Sequence, residues 1–219
     1  MQLVVTGDGS YTFYLPALKE HYHSTFGALT ESMHVFIKSG LLYLPEKKEI
    51  GVLEIGFGTG LNALLTFRAA VNQGYEIVYH ALEKYPIDPR EIKDLNYQSL
   101  FAPDPLPGEL FDSIHEAPWN TTTVLHPGFL LHKIQADLLT FQPDFPYDLI
   151  YFDAFAPDKQ PELWSAEIFE RLYRCLNPGG VLTTYSVKGT VKRLLKAAGF
   201  QIEKLPGPPG KREILRGIK

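Results

Sequence analysis

The sequence predicts an α/β fold: a mostly parallel sheet of seven strands with an antiparallel last strand, and a hairpin and helix appended at the N-terminus. Strand patterns alternate with helical patterns between residues 50 and 200, which is typical of a parallel sheet covered by helices on both faces. The last two predicted strands are joined only by Pro206-Gly-Pro-Pro-Gly210, a connection too short for a parallel crossover. The closing strand is therefore expected to run antiparallel to its neighbour.

The first predicted elements are the hairpin and the appended helix. Residues 3–6 and 11–15 are strand-like and flank the turn residues Gly7-Asp-Gly-Ser10. Apolar residues then recur at helical spacing over residues 26–42. We expect residues 1–45 to pack on a main domain formed by residues 46–219.

The main domain begins with a buried strand and continues as alternating elements. Helices are predicted at residues 61–71, 161–175 and 187–198, the second of them stopped by Asn177-Pro-Gly-Gly180. Residues 84–127 contain several prolines, and only short helices are predicted there. The seven predicted strands are residues 50–55, 76–82, 129–134, 147–152, 181–185, 200–205 and 212–215.

Composition bounds the class of protein. The 219 residues are 45% apolar and 21% charged, which is ordinary for a globular protein of one domain with a small appendage. The single cysteine, Cys175, excludes an internal disulfide framework and suits a reducing compartment. No stretch approaches the roughly 20 apolar residues of a membrane span, and the N-terminus does not read as a targeting segment. These observations predict a cytoplasmic protein with no membrane partner. No metal site is expected either, because His21-Tyr-His23 has no third ligand at a sensible spacing.

The charge is unevenly distributed along the chain. Residues 185–219 contain nine Lys and Arg residues against two Glu residues, a net charge of +7, which leaves −11 on residues 1–184 of a chain whose total is −4. A phosphate-binding surface would have such a basic segment on an acidic body. A solvated helix face followed by a charged tail would have the same composition.

A glycine turn is the first candidate site. Gly56, Gly58 and Gly60 alternate between a predicted strand and a predicted helix, behind the acidic residue Glu54. Glycine there lets a backbone approach a ligand closely, while a dinucleotide site would need its third glycine where Leu61 stands. The spacing therefore favours S-adenosylmethionine over a nicotinamide dinucleotide.

Acidic residues follow the ends of the next strands. Glu83 ends the second strand of the main domain, where a carboxylate can accept hydrogen bonds from both ribose hydroxyls of a nucleoside cofactor. Asp137 follows the third strand and is expected near the adenine, or else serves as a turn or helix-capping residue. Asp153 ends the apolar strand at residues 147–152, so it faces the crevice at the carboxyl edge of the sheet and is the predicted catalytic residue. A carboxylate there can hold and orient an acceptor amine, or it can only stabilise the loop.

Five segments then resemble the MnmC methyltransferase-domain family over nearly the whole chain. The Asp-Ala-Phe-Ala-Pro and Gly-Lys-Arg-Glu runs are more specific than the glycine turn. The segments are residues 21–36, Glu54-Ile-Gly-Phe-Gly-Thr-Gly-Leu-Asn62, Phe152-Asp-Ala-Phe-Ala-Pro-Asp-Lys-Gln-Pro-Glu-Leu-Trp164, Thr183-Thr-Tyr-Ser-Val-Lys-Gly189 and Gly207-Pro-Pro-Gly-Lys-Arg-Glu213.

The resemblance implies a class I Rossmann-like methyltransferase that acts on tRNA. Members methylate the primary amine of 5-aminomethyl-(2-thio)uridine at the wobble position, in the anticodon stem-loop, with S-adenosylmethionine as cofactor. Glu31, which by spacing alone is a solvated helix residue, becomes a ligand of the methionine amino group. The implied cofactor-binding residues are Glu31, Glu54, Gly56, Gly58, Gly60, Asn62, Glu83 and Asp137.

The resemblance also gives the basic segment a use, because tRNA phosphates would lie across it. Tyr22, Phe155 and Trp164 are candidates to stack on the everted uridine, each with core packing as the alternative. The candidate phosphate contacts are Lys188, Lys192, Arg193, Lys211 and Arg212.

Bifunctional members of the family continue into an oxidoreductase domain, for which residues 1–219 offer no segment. We therefore expect a substrate that already bears the free aminomethyl group, and a functional link to the enzymes that install it. Two other functions stay open: a small-molecule amine methyltransferase or aminopropyltransferase, and a non-catalytic RNA-binding protein. A basic rim argues against a polycationic substrate, and an intact glycine turn with Glu83 and Asp153 argues against loss of catalysis.

Overall fold

The computed structural model describes residues 1–44, 47–101 and 109–219. Its helices are α1 (Ala28–Ser32), α2 (Leu61–Gln73), α3 (Pro89–Ile92), α4 (Leu110–Glu116), α5 (Ala166–Cys175) and α6 (Gly189–Ala198), with a π-helical segment at Met33–Lys38 and 3₁₀ turns at Leu41–Tyr43, Ser99–Phe101 and Pro161–Leu163. Its strands are β1 (Gln2–Val5), β2 (Tyr11–Leu15), β3 (Glu20–His21), β4 (Glu49–Ile55), β5 (Glu76–Glu83), β6 (Thr122–His126), β7 (Phe129–Gln135), β8 (Tyr147–Phe152), β9 (Leu176–Thr184), β10 (Gln201–Pro206) and β11 (Glu213–Ile218).

The central sheet of the described residues has eight strands in the order β10-β11-β9-β8-β4-β5-β7-β6. Strands β7, β5, β4, β8 and β9 pair in parallel, while β11 is antiparallel to both of its neighbours. The predicted α/β class and the antiparallel last strand are therefore confirmed.

The predicted count of seven strands is wrong by one. β6 joins the edge of the sheet antiparallel to β7, within the proline-rich stretch for which only short helices were expected. As an edge strand, β6 has no buried residue and alternates exposed with half-buried positions, so its apolar signal is weak. Residues 102–108 of that stretch lie outside the described residues.

The sheet is covered on both faces, as its apolar strands require. Every residue of β8 is buried, because side chains on alternate faces enter two different cores. One core lies between the sheet and α2 together with the N-terminal segment, and includes Val52, Phe67 and Tyr151. The other lies under α5 and α6 and includes Phe152 and Phe169.

The N-terminal segment forms its own small sheet and a broken helix. β1 and β2 form the predicted hairpin, to which β3 adds a short third strand. The predicted helix over residues 26–42 is instead α1, the π-helical segment and a 3₁₀ turn in succession. Val35 and Phe36 of this segment share the core with α2. The expected domain boundary falls at residues 45–46, outside the described residues, and stays a prediction.

The chain between β8 and β9 also differs from the expectation of one helix over residues 161–175. Trp164 interrupts it, because its indole Nε1 donates a 2.8 Å hydrogen bond to the Phe155 carbonyl. α5 begins only after Ser165, whose hydroxyl accepts a hydrogen bond from the Ile168 amide. Residues 177–180, expected as a stop, belong to β9, whose pairing with β8 is irregular there. None of the helices in the described ranges is long and apolar enough to cross a membrane.

Candidate active site

A cavity of about 680 Å³ lies at the carboxyl edge of the parallel strands. Ligands of open α/β sheets bind at this edge, because loops that leave neighbouring strands in opposite directions open a crevice there. Its floor comes from the loops after β4, β5, β7 and β8, and its remaining walls from residues 15–31, Tyr185 and the loop that carries Lys211.

The glycine turn forms part of this floor. Gly56 has φ +88° and Gly58 has φ +48°, a conformation that side chains disfavour. A Cβ on Gly56 would stand 2.7 Å from the Asp153 carbonyl oxygen, and a Cβ on Gly58 would stand 3.0 Å from the Tyr22 ring. Gly56 therefore lets the β4 loop pack against the β8 loop, and Gly58 lets it pack against the Tyr22 ring. Gly60 caps α2 and packs on His115 behind the turn, away from the cavity lining.

Glu83 and Asp137 lie together at one end of the cavity. One oxygen of Glu83 accepts a 3.1 Å hydrogen bond from the Gly58 amide, and the other accepts a 2.9 Å bond from the Tyr85 amide. Asp137 accepts a bond from the Leu139 amide and forms a 2.8 Å ion pair with Lys84, which lowers its pKa. Asp137 thus stabilises a turn and lines the cavity at once.

Asp153 stands at the centre of the floor. Its backbone amide donates a hydrogen bond to the Ile55 carbonyl, which extends the pairing of β8 with β4 by one residue. Its carboxylate accepts a 2.9 Å hydrogen bond from the Asn62 side-chain amide. Burial, with a contribution from the negative charge of Glu31, raises the pKa of the Asp153 carboxyl to about 7, against the opposing effect of Asn62. This carboxyl can therefore exchange a proton near neutral pH.

Glu31 and Lys211 meet across the cavity although 180 residues separate them in sequence. The Lys211 ammonium forms an ion pair with the Glu31 carboxylate and lies 4.0 Å from the centroid of the Tyr185 ring. The other oxygen of Glu31 accepts a 2.8 Å hydrogen bond from the Ser24 amide. Lys211, expected among the phosphate contacts, thus points into the cavity.

Known proteins match this chain in sequence. Residues 121–219 match the family model described as S-adenosyl-L-methionine-dependent methyltransferase. The tRNA 5-methylaminomethyl-2-thiouridine biosynthesis bifunctional protein MnmC of Pseudomonas fluorescens is 33% identical over 90% of this chain and 32% of its own length. Over residues 121–219 the chain is thus similar to the S-adenosyl-L-methionine-dependent methyltransferases. It spans about a third of the length of that curated relative.

Solved structures share the fold of this chain. MNMC2 from Aquifex aeolicus superposes with a TM-score of 0.77 at 24% identity, covering 99% of this chain and 69% of the other. Spermidine synthase from Thermotoga maritima superposes with a TM-score of 0.52 at 14% identity, covering 95% and 68%. At such identities the two structures show the fold alone. The solved structures confirm the predicted class I Rossmann-like fold. The family model, whose description names S-adenosyl-L-methionine, confirms the predicted cofactor.

The residues around the cavity fit this cofactor. Gly56 and Gly58 line the cavity, and the Glu83 oxygens keep lone pairs for ribose hydroxyls. The Asn62 side-chain oxygen is buried on the cavity floor and has no hydrogen-bond partner among the described residues. Such an orphaned acceptor suits a polar ligand group.

Glu54 lies beneath the floor and is not part of the cavity lining. Its side chain is fully buried, and burial raises its pKa well above the usual range, with the nearby Tyr79 hydroxyl and Asn62 amide opposing the rise. Neither of its oxygens has a hydrogen bond of normal geometry within the described part of the chain. A neutral Glu54 under Asn62 would support the floor from below rather than meet the cofactor.

Aromatic side chains form the outer walls. Tyr22 and Phe155 pack edge to face with their centroids 5.1 Å apart, and both line the cavity. Trp164 is buried and holds the Phe155 carbonyl, so its core-packing alternative is the one observed. Sequence reasoning missed Tyr185, whose hydroxyl donates a 2.9 Å hydrogen bond to the Ala154 carbonyl. Its position just after β9, at the carboxyl edge of the sheet, was the available signal.

The other four candidate phosphate contacts lie outside the cavity lining. Lys188 forms a 2.7 Å ion pair with Asp158 at the surface. Lys192 and Arg193 project from α6, and Arg212 is exposed beside Lys211. Structure thus separates Lys211 from the other four basic residues with which the sequence grouped it.

Proposed function

We propose that this chain is an S-adenosylmethionine-dependent N-methyltransferase that converts 5-aminomethyl-(2-thio)uridine at the tRNA wobble position to its 5-methylaminomethyl form. The observation that carries the proposal is the Asp153 carboxyl, which has a pKa of about 7 and faces the cavity beside the glycine turn. The Pseudomonas relative is named for the biosynthesis of 5-methylaminomethyl-2-thiouridine in tRNA, and this name supports the proposed substrate.

Cofactor binding falls to residues that line the cavity. Glu83 would accept hydrogen bonds from the ribose hydroxyls, Asp137 would lie by the adenine, and Glu31 would face the methionine amino group. Gly56, Gly58 and Asn62 would border the rest of the molecule. The bound cofactor supplies a methyl group on a positively charged sulfur.

Asp153 holds and orients the acceptor amine. An alkylamine with a pKa near ~10 is protonated in water and has no lone pair available for attack. A carboxylate with a pKa near 7 can accept a hydrogen bond from the amine and take its surplus proton. Tyr22 and Phe155 would stack on the uridine and exclude water, so that the amine meets Asp153 away from bulk solvent.

The tRNA would be held outside the cavity by the basic segment. Lys192, Arg193 and Arg212 lie outside the cavity lining, and phosphates of the anticodon stem-loop would cross them. Contacts of this kind position the substrate without reading its sequence. We also propose a cytoplasmic location, because the proposed substrate is a tRNA.

The experiment is methyl transfer from labelled S-adenosylmethionine to three acceptors: tRNA that bears the aminomethyl group, tRNA that lacks it, and putrescine. We expect label only in the first. Label in putrescine would favour small-molecule amine transfer, and binding of tRNA without transfer to any acceptor would favour a non-catalytic RNA-binding protein.

A further inference from the structure

The loop between β10 and β11 is built to direct one lysine inward. The Gly207 amide bonds to the Arg212 carbonyl at 3.0 Å, and the Lys211 amide bonds to the Pro208 carbonyl at 2.9 Å. Gly210 has φ +84°, and a Cβ there would stand 2.3 Å from the Phe26 ring. The turn is therefore tightly packed, and it fixes the backbone from which the Lys211 side chain enters the cavity.

The ammonium of Lys211 makes two contacts and lies near a third group. It pairs with Glu31, lies against the face of Tyr185, and is close enough to Asp153 for its charge to lower the pKa of that carboxyl. Only 29% of the Lys211 side chain is exposed. A phosphate-binding lysine would instead extend into solvent, as neighbouring Arg212 does.

We propose that Lys211 is an active-site residue that keeps the acceptor amine unprotonated, by placing a fixed positive charge in the cavity that Asp153 shares. This inference rests on the proposed function. A second cation beside an ammonium disfavours the charged form of the amine, because like charges repel at short range. Lys211 would therefore promote loss of the proton that blocks the lone pair.

The reaction balances with one surplus proton. The neutral amine nitrogen forms a bond to the methyl carbon while the carbon–sulfur bond breaks, and that electron pair remains on sulfur, which becomes a neutral thioether. The resulting secondary ammonium keeps two protons on nitrogen and later loses one to the Asp153 carboxylate or to water. No oxidant or reductant is required.

Few of the titratable groups around Lys211 carry a charge that could offset the charge of its ammonium. Burial lowers the pKa of His23 to about 4, and burial raises the pKa of the Tyr185 hydroxyl, so both are neutral at pH 7. Glu31 neutralises Lys211 in part. Removal of Lys211 would leave the Glu31 carboxylate uncompensated beside Asp153, and both changes favour protonated forms in the cavity.

The test is the pH dependence of kcat at saturating tRNA and cofactor. With Lys211→Met we expect the acidic limb to move to higher pH by about one unit, from a unit charge removed at close range. Lys211→Arg keeps the charge, so its acidic limb should lie at the wild-type pH. Arg212→Met removes a cation from the same loop but outside the cavity, and should weaken tRNA binding while leaving the limb in place.

A limb that Lys211→Met does not move would overturn the inference. So would a loss of cofactor affinity, measured by calorimetry, that accounts for the whole effect, since Lys211 would then be a cofactor ligand. Lys211→Gln is a second replacement that removes the charge. The thermal unfolding midpoint of each variant, compared with wild type, shows whether a folding defect causes the effect. The pKa of Asp153 in the protein alone, read from ¹³C shifts of labelled aspartate, should rise in Lys211→Met, and this measurement needs no turnover. If wild type fails to methylate tRNA, the proposed function fails while this measurement still decides the effect of Lys211.

Discussion

The Asn62 side-chain amide donates a 2.9 Å hydrogen bond to the Asp153 carboxylate, and so joins the first turn of α2 to the end of β8. The two residues are 91 positions apart, and the bond orients the carboxyl at the centre of the cavity floor. The same amide opposes the rise that burial imposes on the pKa of Asp153. Asn62 therefore sets both the direction and the acidity of the proposed catalytic group.

Asn62→Ala should raise the pKa of Asp153 above its present value of about 7, since the donor that stabilises the carboxylate is gone. Asp153 works in its ionised form, which predominates above its pKa, so the acidic limb of kcat should move to higher pH. A rise of about one unit would lower the ionised fraction at pH 7 about fivefold. The pH profile at saturating cofactor measures this, and an unmoved limb would mean that Asn62 serves the cofactor alone.

Asp153→Ala should abolish turnover and leave cofactor binding near normal. General acid–base groups contribute about 10²- to 10⁴-fold to rates, and we expect a loss in kcat of that order. Calorimetry should find a cofactor Kd within about threefold of wild type. Asp144→Ala, at an exposed aspartate outside the cavity, is the matched control and should keep its turnover. Equal loss of binding and turnover in Asp153→Ala would make Asp153 a structural residue or a cofactor ligand.

Charge reversal on α6 should weaken tRNA binding. The double substitution Lys192→Glu and Arg193→Glu removes two candidate phosphate contacts, and each such contact adds roughly 0.9 to the slope of log K against log salt. We expect lower affinity at low salt and a slope smaller by about one to two units. Lys93→Glu, a charge reversal at the end of α3, is the control. A slope unchanged by the double substitution would return both residues to a solvated helix face.

Asp8 should stabilise the N-terminal segment in a pH-dependent way. Burial alone would raise the pKa of Asp8, but hydrogen bonds from Ser10 and Thr30 outweigh it and lower the pKa to about 2. A carboxyl with a folded pKa below its unfolded value contributes stability above about pH 4, and loses it as pH falls towards 2. Asp8→Ala should lower the free energy of unfolding by about 1 kcal/mol at pH 7, by analogy with lost helix caps.

Urea unfolding at several pH values checks the Asp8 prediction. The difference between wild type and Asp8→Ala should shrink as the pH falls from 4 to 2. A difference that stays constant across that range would contradict the assignment of the effect to the carboxylate.

Much of the fold could be predicted because its strands carry strong local signals. β8 is buried along its whole length, and its predicted bounds at residues 147–152 are those observed. β6 escaped because an exposed edge strand has little apolar patterning. The break before α5 was not predicted, because Trp164 fits a helical pattern. Its hydrogen bond to the Phe155 carbonyl turns it out of the helix, and that pattern does not reveal the bond.

Some residues of the site could likewise be predicted from the sequence, and others could not. Residues next to a strand end, such as Asp153 and Glu83, could be placed from topology, because carboxyl ends of parallel strands meet at one edge. The Glu31–Lys211 pair could not, since no local pattern links a helix at one end of the chain to a turn at the other. Glu54 stands next to the glycine turn in sequence, yet strand alternation directs its side chain beneath the floor.

Nucleoside mass spectrometry tests the central claim most directly. Purified protein, S-adenosylmethionine and tRNA containing 5-aminomethyluridine are incubated, and the tRNA is digested and compared with a reaction that contains Asp153→Ala. We predict that the aminomethyl nucleoside disappears, and that a species heavier by one methyl group takes its place with wild type only. An unchanged nucleoside, together with turnover of putrescine or another free amine, would contradict the account.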